Sequence, residues 1–163
     1  MSNELKVKEA LEGKFKYLAD KVAVKRDRRI FVDVPLENLR EVLDYAVETL
    51  KFDALKMITG LDEVTSFGVI YHLDKEGQAL LNLKVHTSHD APKVKTVTDL
   101  FPGADPYERE IVDLLGIEVE GLVTGRRYPL PENWPEGQYP LRKDWKNELN
   151  DDVGDMGEGD SHA

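Results

Sequence analysis

The chain has 163 residues, enough for one domain with a real core, and 40% of them are hydrophobic, which excludes disorder throughout. It has no cysteine, which excludes disulfides, thiol catalysis and all-cysteine anchoring of an iron–sulfur cluster. The formal charge of −10 argues against nucleic acid, whose phosphates demand clustered Lys and Arg.

No apolar run approaches the ~18–20 residues that cross a bilayer, and the opening MSNELKVKEA lacks an apolar signal region. The expectation is a chain that stays in the cytoplasm and meets a membrane only through a partner.

Residues 4–20 are expected to form a helix with Leu5, Leu11, Phe15 and Leu18 on one face. Two short Val- and Ile-bearing runs follow, at 22–26 and 29–34, with Asp27-Arg28 as a hairpin turn. Pro35 suits the first turn of a second helix. Its stripe of Leu36, Leu39, Val42, Leu43, Ala46, Val47 and Leu50 has the regular spacing of an amphipathic helix. Three strands come next, at 55–60, 66–73 and 79–86. The last two alternate (Phe67, Val69, Tyr71, Leu73; Ala79, Leu81, Leu83, Val85) and should pair as an antiparallel hairpin.

A third helix is expected over 106–115. Asp105 fits an N-cap, Pro106 the first helical position and Glu108 the return arm of a capping box. Tyr107, Ile111, Leu114 and Leu115 make its apolar stripe. Glu110 and Asp113 fall on the polar face, and Gly116 ends it. Beyond it, Pro129, Pro131, Pro135 and Pro140 forbid regular structure in a segment that interleaves Arg126, Arg127, Tyr128, Trp134, Tyr139, Arg142, Lys143 and Trp145. Aromatics beside Arg and Pro have the composition of an interface. The predicted architecture is therefore α+β, a two-layer α/β sandwich over residues 1–120 with helices on one sheet face. An extended partner-docking arm follows over 121–146. A Gly- and Asp-rich acidic tail, expected to be disordered, occupies 147–163.

Three chemistries compete. His86 and His89 with Asp90, helped by His72, are the only candidate metal half-site, short of the three or four ligands a zinc site needs. Glu108, Glu110 and Asp113 form a candidate acid/base cluster, for which the plainer reading is capping and a partner-facing surface. No phosphate loop, dinucleotide fingerprint, nucleophile elbow or HExxH is present. The basic pairs Arg126-Arg127 and Arg142-Lys143 are best read as docking points for acidic partner surfaces. A stand-alone binding module recruiting a basic partner through the tail is the remaining alternative.

Thr98-Asp-Leu-Phe101-Pro-Gly-Ala104-Asp-Pro-Tyr107-Glu-Arg-Glu110, then Asp113-Leu-Leu-Gly116-Ile117, resembles the signature of the 30-kDa subunit family of respiratory complex I. Arg126-Arg127, Pro131-Glu-Asn-Trp134 and Pro140-Leu141-Arg142-Lys143-Asp144 follow in the family's order, and Thr59-Gly60-Leu61-Asp62 and Tyr71-His72 resemble its strand region. The resemblance covers about residues 55–145 and extends to related membrane-bound [NiFe] hydrogenases. It implies a non-catalytic subunit of the hydrophilic arm of a complex I-like, ion-translocating oxidoreductase. Such a subunit has no activity alone and no cofactor, iron–sulfur clusters and a NiFe site belonging to partner chains. It would pack on the hydrogenase-like large subunit and near the cluster-carrying small subunit, held peripherally at the cytoplasmic face of the membrane. By the same resemblance Tyr107, Glu108, Arg109, Glu110 and Asp113 belong to the docking helix. Arg126, Arg127, Trp134, Pro140, Leu141, Arg142, Lys143 and Asp144 belong to the docking arm. The family's Gly-His-Pro-Asp-Leu appears here as Gly121-Leu-Val-Thr-Gly125, a departure that leans the reading toward a hydrogenase-type complex over an NADH–quinone or other donor–quinone oxidoreductase.

Overall fold

The computed structural model describes residues 2–146. The tail expected at 147–163 lies outside the described residues.

Helix α1 spans Asn3–Lys14, with the Ser2 hydroxyl accepting from the Leu5 amide at 3.4 Å. It is shorter than the expected 4–20. Phe15 is extended, and a separate 3₁₀ turn at Lys16–Leu18 carries the chain on. The buried face also differs. Val7 and Leu11, one turn apart, face the core, while Leu5 is exposed. Phe15 and Leu18 are buried from the turn that follows the helix.

Strands β1 (Val22–Arg26) and β2 (Arg29–Asp33) form the expected hairpin. Arg28 takes φ +60° in its turn, and its amide donates to the Glu4 carboxylate at 2.8 Å. A 3₁₀ turn at Leu36–Asn38 then leads into α2 (Leu39–Glu48), whose Leu39, Val42, Leu43 and Ala46 are buried.

β3 (Ala54–Asp62), β4 (Ser66–Lys75) and β5 (Ala79–Ser88) complete a five-stranded sheet ordered β1-β2-β5-β4-β3. The β4–β5 hairpin aligns Val69 with Val85, Tyr71 with Leu83 and Leu73 with Leu81. One pair, β2 with β5, is parallel, so the chain leaves the sheet after β2, passes through α2, and returns by way of β3 and β4. Phe67, Val69, Tyr71 and Leu73 share the covered face with Leu81, Leu83 and Val85, and all are nearly solvent-free. The opposite face carries a polar ladder. The Thr59 hydroxyl meets His72 at 2.9 Å, His72 meets the Asn82 amide oxygen at 2.6 Å, and Asn82 donates to the Ile30 carbonyl at 2.8 Å.

α3 (Asp105–Leu115) lies across β3 at Gly60. A Cβ there would fall 2.4 Å from Leu115 Cδ1 and 3.0 Å from Ile111 Cγ2, so only glycine lets helix and strand approach this closely. Two three-residue strands not foreseen from the sequence, β6 (Lys93–Lys95) and β7 (Glu118–Glu120), pair in parallel and bury Val94 and Val119.

Candidate partner-docking site

The capping expected at the start of α3 is not what the structure builds. The helix begins at Asp105 with no side-chain cap, after a 3₁₀ turn at Pro102–Ala104. Asp105 instead grips Arg109 one turn later through two bonds, Nε–Oδ2 at 2.8 Å and Nη2–Oδ1 at 2.9 Å. Glu108 is buried and reaches away from its own helix end. It accepts the Val97 amide at 2.7 Å and the Thr96 hydroxyl at 2.6 Å, tying the loop before the helix to α3. Burial pushes the Glu108 carboxyl above the usual range, only partly opposed by these two donors, and Asp105 and Asp99 nearby push the same way.

Arg109 then fixes the root of the arm. Its Nη2 donates to the Val123 carbonyl at 2.8 Å and its Nη1 to the Arg126 carbonyl at 3.4 Å. Gly125 lies so close that a Cβ would meet the guanidinium at 2.7 Å. Asp113, expected on a polar, partner-facing surface, is in fact buried, because the arm folds over it and Arg127 Nε approaches Oδ1 at 3.2 Å. Arg127 also donates to the Trp134 carbonyl at 2.8 Å. Its guanidinium is therefore engaged inside the chain.

The end of the arm is held in the same way. The Leu141 amide donates to the Leu114 carbonyl at 3.0 Å, and Arg142 Nε donates to the Leu115 carbonyl at 2.7 Å, satisfying two orphan acceptors of α3. Gly116 ends the helix at φ +68°, as expected, and the Tyr139 ring sits where its Cβ would be. The Arg142 guanidinium lies over the rings of Tyr139 (4.6 Å) and Phe67 (5.1 Å), and His89 stacks on Phe67 at 4.5 Å. The Lys143 amide donates to Asp62 at 2.8 Å. Trp134 and Trp145 donate to the main-chain and side-chain oxygens of Gln138, and Pro140 is half-buried between these anchors.

The arm lacks regular structure, as its prolines predict, but it is not without partners inside its own domain. Side chains of α3 and the strand ends supply its partners. Arg109, Asp113, Arg127 and Arg142 attach the arm to its own domain, and Glu108 attaches the preceding loop. What faces outward is different: Val123 (74% exposed), Tyr128 (50%) and Leu141 (55%), with Arg126, Lys143 and Asp144 also exposed and Tyr107, Glu110 and Trp134 half-exposed.

The two candidate metal histidines diverge. His86 is 2.8 Å from Glu63 and 3.4 Å from Asp33, with Lys84 also on Glu63. His89 turns elsewhere, onto Phe67 and Asp62. Among the described residues no group of three or more His, Cys, Asp or Glu is placed to hold a metal ion. Likewise no described helix is long and apolar enough to cross a membrane.

Residues 32–150 match the family described as respiratory-chain NADH dehydrogenase, 30 Kd subunit. The chain belongs to this family. Among 30 Kd relatives, a subunit of the F(420)H(2) dehydrogenase of Methanosarcina mazei is 29% identical over 141 residues, covering 85% of this chain and 89% of that one. The membrane-bound hydrogenase subunit beta of Pyrococcus furiosus is 30% identical over 122 residues, covering 72% and 70%. The chain spans less than a quarter of some longer NADH-quinone oxidoreductase chains that also match. A chain of the membrane-bound sulfane sulfur reductase, an archaeal respiratory membrane complex, shares the fold at a TM-score of 0.80 and 23% identity, covering 96% of this chain and 95% of that one. The relatives are thus subunits of complex I-like respiratory membrane complexes, and the α+β reading of the sequence is that of the 30 Kd fold.

Proposed function

We propose that this 30 Kd-family chain is a non-catalytic assembly subunit, which uses the outer surface of its folded-back arm to hold the hydrogenase-like large subunit and the cluster-carrying small subunit of one complex. Iron–sulfur clusters, and a NiFe site where the complex is of the hydrogenase type, reside in those chains. The assembly is held peripherally on the cytoplasmic face of the membrane. The reading leans toward the hydrogenase type through the departure at 121–125, and the similarity to the membrane-bound hydrogenase subunit beta supports it.

One observation carries the proposal: the arm is anchored inward by Arg127 and Arg142 while Val123, Tyr128 and Leu141 stand out into solvent. Large apolar side chains on an anchored, proline-punctuated strap have the character of interface anchors. The triple variant Val123→Asp, Tyr128→Asp, Leu141→Asp removes that outer surface without touching an internal side-chain bond. It is expected to melt within a few degrees of wild type, since surface changes are worth about ±0.5 kcal/mol each. It should nonetheless be lost from the solubilised complex. A variant that stays stoichiometrically bound contradicts the proposal.

A further inference from the structure

Between the C-terminal half of α3 and the arm lies a cleft of about 550 Å³. Val112, Ile117, Trp134 and Tyr139 give it apolar and aromatic walls, and Asp113, Glu118, Glu132 and Glu136 bring four carboxylates to it against one guanidinium, that of Arg127. Two of the acids have other company at the rim: Glu118 is 3.1 Å from Lys93, and Glu132 is 3.6 Å from Arg126, with both partners of each pair exposed. Asp113 is different. Its side chain is 9% exposed, Arg127 reaches only Oδ1, and Oδ2 is buried with no hydrogen-bond partner among the described residues.

A buried carboxylate oxygen without a donor is costly, because its hydration is lost and nothing replaces it. The cleft supplies the remedy in its shape and charge. A planar guanidinium or an ammonium entering between the aromatic walls would donate to Asp113 Oδ2, lie within reach of Glu132 and Glu136, and meet ring faces that favour cations. Aromatic walls beside carboxylates suit an organic cation.

We infer that this cleft is the socket for an Arg or Lys side chain of a neighbouring protein subunit, with Asp113 as the buried acceptor. The inference rests on the reading of the arm as a docking element and gives that element its specificity. The exposed apolar residues supply area, and the socket sets register, since a misplaced neighbour leaves Asp113 Oδ2 unpaired. It also reverses the charge logic of the sequence, in which the arm's own basic pairs seek acidic partners: at this point the arm presents acid and the neighbour supplies the base.

The test uses full-length chain in the solubilised membrane complex, and reads the fraction of complex that retains it by native mass spectrometry. Asp113→Asn keeps the shape but removes the charge, which also weakens the internal pair with Arg127, so its dissociation counts for the socket only where the isolated variant melts like wild type. Glu132→Gln with Glu136→Gln changes only exposed groups and leaves folding alone. Both variants are expected to dissociate about tenfold faster than wild type, the Glu pair more weakly so in high salt, where exposed charges are screened. The triple variant at Val123, Tyr128 and Leu141 serves as the control. If it dissociates while Asp113→Asn and the Glu pair hold like wild type, the socket is overturned and the docking arm stands. If all variants hold, both readings fall.

Discussion

At the scale of single residues, the acids of α3 have roles that spacing along a helix does not reveal. Glu108 has the position of a capping residue, yet its carboxylate is recruited by the Val97 amide and Thr96 hydroxyl, eleven and twelve residues upstream. The cause is tertiary: the turn at Pro102–Ala104 swings that loop across the helix. Because burial raises its carboxyl in the folded state, the protonated form is the one the fold favours. Its contribution is therefore fully present below the ordinary Glu value, about pH 4.3, and is lost as pH rises through the higher folded value. Glu108→Gln mimics the protonated form. Measured by denaturant unfolding, wild type should compare best with Glu108→Gln near pH 4 and progressively worse toward pH 7. A difference that does not change with pH would contradict the raised carboxyl. Asp113 is equally illegible in the sequence. Its i, i+3 relation to Glu110 places it on a polar face, and only the arm arriving over it makes that face interior.

At the scale of elements, periodicity reads most of the sheet correctly and most helix ends imperfectly. The alternation in β4 and β5 has one solution, because sliding either strand by one residue would turn Tyr71, Leu83 and their neighbours outward. The stripe of α2 is legible at Leu39, Val42, Leu43 and Ala46, although the first turn expected after Pro35 is a 3₁₀ turn and Leu36, Val47 and Leu50 are only partly buried. α1 differs in face and length because Leu5, Leu11, Phe15 and Leu18 satisfy a helical stripe on paper. The actual chain uses Val7 and Leu11, then breaks at Phe15. β6 and β7 have three residues each and leave almost no period to detect. The contact between α3 and β3 shows how one residue sets an element's position. Gly60→Ala would drive a methyl into Leu115 and Ile111, and overpacking of this kind costs about 1–3 kcal/mol. Thermal unfolding of that variant should show a melting point lowered by several degrees. An unchanged melting point would mean that α3 does not seat on β3 as described.

At the scale of the whole molecule, the chain is a two-layer domain with a strap. The layer of helices, the covered sheet face and the apolar core follow from patterning, and the family follows from the residues of α3 and the arm. The path of the arm follows from neither. Prolines say where regular structure stops, but they do not say which carbonyls at the end of α3 will accept from Leu141 and Arg142. The basic residues divide accordingly. Arg127 and Arg142 are structural, each satisfying internal oxygens, whereas Arg126 and Lys143 remain at the surface. On the proposed docking role, a strap already shaped in the isolated subunit would lose little conformational freedom at assembly.

The arm's two states can be compared by amide hydrogen exchange on the isolated chain and on the same chain within its membrane complex. The anchored amides of Leu141 and Arg142, which donate to Leu114 and Tyr139, should already be slowed in the isolated chain. On assembly, the exposed arm amides around Val123 and Tyr128 should slow by about tenfold or more, while those at the centre of the sheet stay as they were. An arm that exchanges at the same rate in both states would contradict the claim that it is the surface through which this subunit is held.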